Sequence, residues 1–475
     1  MTRLNILLTA AASLIVAASP VSAQPAPAEP PIGTPRPFKM PAIERVHLKN
    51  GMTVAFVPFG SVPQTTLVLN TFAGDLNVPG HPWVANAHAE LSKRGAGGRD
   101  ANQLAEALSA MGGSLSAQGG ADNTQYSTTV LSDHAGDAIG LMADVARRPN
   151  FAQADFDRVM ADLKRQLAQT QASPQAMAGV LLAKALYPTH PYGDLLPTAA
   201  QLDQMKLADL QRFHDQQMGA ARSTLYVIGQ YDRDAVLAAA EKAFGDWKAR
   251  QPRKVWLAKA TSGHRLILAD RPGSQQTTIR LALPAPAVDT PTDVPFRVTD
   301  ALLGGAFSSR ITTNIREDKG YTYSPGSSVG ARPGGATWTW NADITPAVTG
   351  KAMAEVFKEI RRLQSQPPAA AEALGMKTYT ANYLLIRTTD AGLIASQLVR
   401  ADLLGIKPSY FSSYVQRAMA VTPAQISSLA AQDLKLDRMT MVVVGDIKSV
   451  EPQLMALPEL KGVPVQHVTL PKSAS

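Results

Sequence analysis

The chain has 475 residues, a formal net charge of +8 and no cysteine. Hydrophobic residues make up 45% and charged residues 18%, which excludes a disordered chain and predicts packed interiors. Without cysteine there are no disulfides, thiol nucleophiles or cysteine zinc sites, and without a lysine–arginine block nucleic-acid binding is not expected.

Arg3, the apolar run from Leu4 to Val16 and the small residues Val21-Ser22-Ala23 read as a signal peptide over residues 1–23, cleaved after Ala23. The run is too short for a membrane span, and no cysteine is present for lipid attachment. The expectation is export to a bacterial periplasm with no stable membrane anchor. Losing Arg3 lowers the charge to +7 (8 − 1). Residues 24–40, "QPAPAEPPIGTPRPFKM", read as an extended proline-rich arm.

Beyond the arm the chain repeats itself. "QTTLVLNTFAGD" from Gln64 returns as "QTTIRLALPAPAVD" from Gln276, 212 residues later. "KLADLQRFH" from Lys206 answers "TPAQISSLA" from Thr422, and "TLYVIGQYD" from Thr224 answers "TMVVVGDIK" from Thr440, both 216 residues apart. Three pairs in one order at nearly one spacing argue for duplication. Each half opens on an apolar strand, Thr66 to Phe72 or Thr278 to Leu283. A helix and a strand pair follow, "GSLSAQGGADNTQYSTTVL" or "YTYSPGSSVGARPGGATWTWNADI". Amphipathic helices come next, such as Ala135–Ala146 and Lys351–Gln364, and a β-rich run ends at Gly229 or Gly445. Strands and helices mix without strict alternation, so the halves are α+β. The boundaries read as 41–250, a linker at 251–264 within the stretch 248–264, and 265–475.

"HPWVANAHAELSKRG", residues 81–95, predicts a helix entered at Pro82 and stopped by Gly95. Val84, Ala87, His88 and Leu91 share a face, which makes His88 a core or boundary residue flanking a buried stripe. Glu90 lies about 200° around the helix from His88, so the two cannot chelate one ion. Asn86, Glu90 and Arg94 share another face, where Glu90 and Arg94 are expected to pair.

The duplicated halves, "HPYG" at His190–Gly193 after "ALYP", and "FSSRITTNIREDKGYTYS" at Phe307–Ser324 resemble the pitrilysin/insulinase family, which includes the mitochondrial processing peptidases. The resemblance implies two homologous α/β-sandwich halves. Each would be a mainly antiparallel sheet with helices packed on it, and the halves would close as a clamshell. Active members carry the inverted zinc motif H-x-x-E-H, with a further glutamate ligand downstream. No H-x-x-E-H occurs here. Aligned on Gly95, the histidine positions hold Asn86 and Glu90, the base position holds Ala89, and the downstream ligand position holds Gln166. Neutral amides are poor zinc ligands, and Ala89 cannot move a proton.

The resemblance also implies a substrate-binding edge strand over Ser114, Leu115, Ser116 and Ala117, which would pair with extended peptides. In the second half it assigns Arg316 and Tyr323 as a donor pair that serves a zinc site in another chain. Tyr321 is expected to pack, and Arg310 to organise the loop before its helix. The implied function is a zinc-free, non-catalytic subunit of a heterodimeric peptidase. The zinc would be held by a homologous partner with an intact motif, and a homodimer could form without that partner. Two other readings stand beside it: a non-enzymatic peptide-binding or scaffold protein of the envelope, and a metalloenzyme using His81, His88 or Glu90.

Overall fold

The computed structural model describes Phe38 and residues 40–471, which fall within one compact unit, Pro37–Ser475. The signal peptide and nearly all of the proline-rich arm lie outside the described residues. Phe38 and Met40, at the end of the arm, pack half-buried against the core of the second half.

The first half is built on a six-stranded sheet. Its strands are β1 (Glu44–His47), β2 (Thr53–Pro58), β3 (Gln64–Thr71), β6 (Ser116–Gly119), β7 (Thr124–Leu131) and β8 (Ser223–Gly229), and a two-stranded ribbon of β4 (Gly95–Ala96) and β5 (Arg99–Asp100) lies beside it. The sheet order is β1-β2-β8-β3-β7-β6, antiparallel except where β2 runs parallel to β8. The second half has β9 (Arg265–Asp270), β10 (Thr277–Ala285), β11 (Gly326–Arg332), β12 (Gly335–Ile344), β13 (Thr440–Gly445) and β14 (Val465–Val468), in the order β11-β12-β10-β13-β9-β14. Read from the opposite edge, five of its six positions repeat the first sheet, including the parallel pairing of β9 with β13.

The helices of the first half are α1 (Val84–Ser92), α2 (Ala101–Ala110), α3 (Ala135–Arg147), α4 (Gln153–Ala172), α5 (Pro174–Leu186), α6 (Ala199–Gln204), α7 (Leu207–Gln217) and α8 (Arg233–Phe244). Those of the second are α9 (Asp293–Asp300), the single turn α10 (Arg310–Thr312), α11 (Thr349–Ser365), α12 (Ala370–Ile386), α13 (Ala391–Leu404), α14 (Pro408–Met419), α15 (Pro423–Asp433) and α16 (Ile447–Met455). α7 and α15 start and end 216 residues apart, as the repeat requires. The α+β class with two mainly antiparallel sheets is therefore what the chain adopts.

The central strands are buried along their whole length: every residue of β8 and β13 is covered. Continuous runs such as "TLYVIG" and "TMVVVG" need apolar cover on both faces. One face is covered by the half's own helices. The other is covered by a helix from the opposite half. α13 lays Ile394, Ala395 and Leu398 on Val57, Tyr226 and Ile228 of the first sheet. α5 lays Ala178, Leu182 and Leu186 on Ile267, Val442 and Val444 of the second. Both exchanged helices are capped to stop and start sharply. Ser173 Oγ accepts from Ala176 N, with Pro174 opening α5, and Asp390 Oδ1 accepts from Gly392 N and Leu393 N at the start of α13.

Residues 248–264 contain no helix or strand and are stitched to both halves. The Arg253 guanidinium lies 4.1 Å from the centre of the Phe72 ring and donates to the carbonyls of Asp402 and Leu403 at the end of α13. Thr261 N donates to Leu186 O at 2.8 Å.

Candidate functional site

α1 begins two residues after Pro82. Trp83 takes φ 70, and the buried Asp75 carboxylate accepts from Trp83 N and Ala85 N, both at 3.0 Å. Asp75 thus does the work at the helix start that was expected of Pro82. Burial pushes its carboxyl up to about 6, against the two N–H bonds that favour the ion. The helix ends at Ser92 rather than at Gly95, because Gly95 and Ala96 pair with Arg99 and Asp100 in the ribbon. The α1 backbone lies directly on β6: a Cβ at Gly119 would stand 2.1 Å from the carbonyl of Ala85.

His88 is more deeply placed than a flanking position. It is fully buried, and its Nε2 lies 3.0 Å from His214 Nδ1 on α7. His214 Nε2 lies 3.2 Å from the Arg147 carbonyl, which can only accept, so His214 carries its proton on Nε2 and takes one from His88 at Nδ1. His88 Nδ1 is then a bare acceptor, buried without a partner. Burial, reinforced by the His214 charge, holds the His88 pKa well below its ordinary value, and burial lowers that of His214 too. The Phe213 ring centre lies 5.2 Å from that of His88. This is a neutral core pair, and His88 cannot reach a ligand at the surface.

The degenerate zinc positions sit where α1 and α4 meet. Asn86 and Glu90 are half-buried, Ala89 is fully buried and Gln166 is exposed. Glu90 pairs with Lys93 at 2.9 Å and not with Arg94, because Arg94 is drawn 3.4 Å from Asp162 on α4. Asp162 is one turn before Gln166 on α4, and Arg94 lies in the turn just past α1, so this contact ties the end of α1 to the α4 face that carries Gln166. Gln166 makes no side-chain hydrogen bond to Asn86 or Glu90. Two neutral amides, a methyl group and a carboxylate already paired with lysine do not fit zinc. Among the described residues no group of three or more histidine, cysteine, aspartate or glutamate side chains is arranged to hold a metal. His81 lies exposed in the loop before α1.

β6 is one of the two edges of the first sheet, with β1 at the other, and among the described residues it pairs with β7 alone. It starts at Ser116, so Ser114 and Leu115 precede the strand instead of belonging to it. Ser114 and Ser116 are exposed, Leu115 is half-buried and Ala117 is buried. Ser114 and Ser116 also line an open groove whose other wall is the start of α13, including Asp390, Leu393 and Ser396.

Arg316 and Tyr323 are brought together. Arg316 lies in a π turn, Thr313–Asp318, whose inner face is pinned by fully buried Ile311 and Ile315 and by Asn314 Nδ2 donating to Glu355 and Glu359, both at 2.9 Å. Arg310 does more than organise its loop. It grips Glu372 of α12 with two parallel bonds of 2.7 and 2.8 Å, which hold the Glu372 carboxyl below its usual range. After the turn Tyr321 N donates to Ile315 O and Thr322 Oγ1 donates to Asp343 O. Tyr321 and Thr322 therefore face the core, and Tyr323 projects outward with 78% of its surface exposed. The Arg316 guanidinium lies 4.9 Å from the Tyr323 ring centre and 4.4 Å from that of Phe307, itself 69% exposed. Its Nε is 3.0 Å from the neighbouring Glu317. Phe307 was not assigned a role from the sequence, although its place at the head of the motif marked it. The set presents a guanidinium and a phenol as outward hydrogen-bond donors.

Comparisons with known proteins agree with this architecture. Residues 84–198 match the family model "Insulinase (Peptidase family M16)", and residues 204–378 match "Peptidase M16 inactive domain". An uncharacterized zinc protease of Mycobacterium leprae is 26% identical over 340 residues, 70% of this chain and 76% of its own length. One of Rickettsia bellii is 24% identical over 322 residues, 67% of this chain and 77% of its own length. The fold matches a peptidase M16 inactive domain from Pseudomonas fluorescens (TM-score 0.76, 22% identity, 85% of this chain and 98% of that one). It also matches a protease from Helicobacter pylori (0.77, 18%, 86% and 100%) and a chain of complex III2 from Candida albicans (0.73, 15%, 88% and 100%). With two M16 models matched in order between residues 84 and 378 and the same two-sheet fold, the chain belongs to the M16 peptidase (insulinase/pitrilysin) family.

Proposed function

We propose that this chain is the zinc-free, non-catalytic subunit of a heterodimeric M16 metallopeptidase, lending Arg316 and Tyr323 to the zinc site of a homologous partner that cleaves extended peptides. The observation that carries the reading is the outward presentation of that pair. Tyr323 stands at the surface just past the braced turn, the partly covered Arg316 guanidinium lies beside its ring, and the Tyr323 hydroxyl donates to no described residue. A tetrahedral intermediate develops negative charge on oxygen, and a fixed guanidinium and phenol are suited to stabilise it. The zinc positions of this chain do not fit the metal, so no hydrolytic step runs through them. Zinc is assigned to the partner. Export to the periplasm goes with this reading, and among the described residues no helix is long and apolar enough to cross a membrane.

The test is reconstitution with a homologous chain carrying H-x-x-E-H from the same genome. Each chain alone should leave a mixed peptide pool intact, and the mixture should cleave it. If the complex with both Arg316→Ala and Tyr323→Phe turns over at the unaltered rate, the pair is not donated. The unpaired edge of β6 supports a second reading, a peptide-binding envelope protein. Failure of any zinc-bearing homologue to associate with the chain would favour it.

A further inference from the structure

We propose that the second half contains a binding site for one small oxyanion, a carboxylate or a phosphate, held between Arg297 and Arg400. A cavity of about 70 Å³ lies among α9, α12, α13 and α14, lined by these two arginines together with Gln397, Tyr383, Tyr410 and Tyr414. That is room for several waters or one such anion.

The donors around it are not all paired. Arg297 Nε donates to Asp293 Oδ1 at 2.8 Å, and Tyr410 donates its hydroxyl to Asp293 Oδ2 at 2.7 Å, so both oxygens of that carboxylate are in use. Arg297 Nη1 reaches only the Val329 carbonyl, at 3.5 Å, and Nη2 is buried with no partner. Arg400 lines the same cavity and, among the described residues, has no carboxylate within ion-pair reach. Asp300 is the other buried carboxylate nearby, and its Oδ1 already takes bonds from Ser327 and Trp338. Of the two guanidinium groups only Arg297 is paired directly, with Asp293, while Asp300 acts on Arg297 through space; Arg400 and the Arg297 Nη2 are left without a direct acceptor in a largely dehydrated space. An unsatisfied buried donor and an unpaired cation are both costly. A planar or tetrahedral oxyanion would satisfy the free Nη2 and Arg400 together, with fork geometry that suits these two acceptor classes. A second cavity shares Arg297, Tyr383 and Tyr414 and extends to Ser327, Ser328 and the partly exposed Tyr379, which gives a route from the surface.

The site also has a place in the architecture. Arg400 lies two residues before Asp402, which binds Arg45 and Tyr226 of the first half. An anion between Arg297 and Arg400 would tie the exchanged helix α13 to α9 in the core of its own half, so occupancy should raise thermal stability.

The mature full-length chain is titrated calorimetrically with inorganic phosphate and, separately, with acetate, against a matched chloride control, and its melting midpoint is followed. One anion per chain and a saturable rise in midpoint are expected. Arg400→Gln, which breaks no internal ion pair, should weaken binding at least tenfold and abolish the rise. Arg400→Lys should fall between, and it decides the matter if the glutamine variant fails to fold. Binding of phosphate identifies the free-anion class, and binding of acetate without phosphate identifies a carboxylate. No saturable binding of either by about 10 mM, beyond the millimolar range expected of such a site, overturns the proposal. So does equal binding by the wild-type and Arg400→Gln chains.

Discussion

The guanidinium of Arg316 stands 4.9 Å from the ring centre of Tyr323, seven residues further along, with the Phe307 ring 4.4 Å from its own carbon. Two exposed aromatics thus hold one arginine in place and leave about a quarter of its side chain open. A contact of this kind at the surface is worth about 0.5–1 kcal/mol. That is enough to bias the guanidinium toward one orientation and too little to matter for folding. Tyr323→Phe should accordingly shift the unfolding free energy of the isolated chain by no more than about 0.5 kcal/mol, and Arg316→Ala, which removes both contacts, by about 1–2 kcal/mol, read from urea midpoints. In the reconstituted peptidase each should lower turnover by ~10²–10³, as expected for loss of an oxyanion donor. Phe307→Ala should give a smaller loss, because it removes an orienting contact and leaves both donors.

The alignment of α1 with α4 makes a gain-of-function prediction. Arg94 and Asp162 tie the end of α1 to α4 one turn before Gln166. Asn86→His, Glu90→His and Gln166→Glu should then create a three-ligand zinc site of the catalytic type, with histidines one turn apart. Metal analysis of the dialysed triple variant should find close to one zinc per chain, and the wild type far less. With Ala89 still at the base position, no peptide hydrolysis is expected from the variant. A triple variant that holds no zinc would mean that the three positions do not converge.

Much of this was legible from residues alone, for identifiable reasons. The 216-residue offset placed α7 against α15 and β8 against β13 because duplicated cores keep their apolar spacing. The strand pair read over "YTYSPGSSVGARPGGATWTWNADI" is β11 and β12, and in β12 Trp338, Trp340 and Ile344 face inward. Other features depend on partners far along the chain. Continuous apolar strands announce cover on both faces, but nothing in their residues says that α13 covers the first sheet and α5 the second. Glu90 looked like the partner of Arg94 until Asp162, 68 residues away from Arg94, took that arginine. His88 looked like a boundary residue because its partner His214 lies 126 positions away.

The histidine pair makes stability depend on pH. Both folded-state pKa values lie below the ordinary 6.5, so on acidification the unfolded chain takes up these protons first. The pair's contribution is complete above about pH 6.5 and is lost as pH falls toward the folded values. Asp75 and Asp300 act in the opposite sense. Burial raises each from 3.8 to about 6, so the folded chain takes up their protons first and gains stability as pH falls through 6. The histidine contribution can be isolated by difference. Between about pH 7.5 and about 5.5, the urea midpoint should fall further in the wild type than in a His88→Met/His214→Met chain. Parallel curves would show that the pair stays neutral in both states or titrates equally in both.

Gly119 should be irreplaceable for a steric reason. Any Cβ there meets the Ala85 carbonyl carbon and oxygen at 2.1 Å and Asn86 N at 2.4 Å, and these are backbone atoms that cannot swing aside. Gly119→Ala should cost about 1–3 kcal/mol by forcing α1 off β6. Gly140 is the control. It lies within α3 with nothing within 4 Å of its would-be Cβ, so Gly140→Ala should stabilise by up to about 1 kcal/mol through helix propensity. Equal effects at the two positions would refute the close approach.

The contact between the halves should be held chiefly from Asp402. Its Oδ1 and Oδ2 accept from Arg45 Nη2 and Nη1 at 2.9 and 3.0 Å, and Oδ2 also accepts from the hydroxyl of Tyr226, a fully buried residue of β8. The two donors differ in what they lose. Arg45 is one-third exposed and can return to water, so Arg45→Ala should cost no more than about 1 kcal/mol. Tyr226 cannot rehydrate its hydroxyl without lifting α13 from the sheet, so Asp402→Ala should cost about 1–3 kcal/mol for the stranded donor. Tyr226→Phe removes that donor. Combined with Asp402→Ala, it should recover much of the loss, giving a double-mutant cycle with a clear coupling term. Hydrogen exchange should then show α13 opening before the rest of the second half in Asp402→Ala and not in Arg45→Ala. Were the two single substitutions to cost the same, the grip on α13 would come from its apolar face and from Arg253 and not from the Asp402 carboxylate.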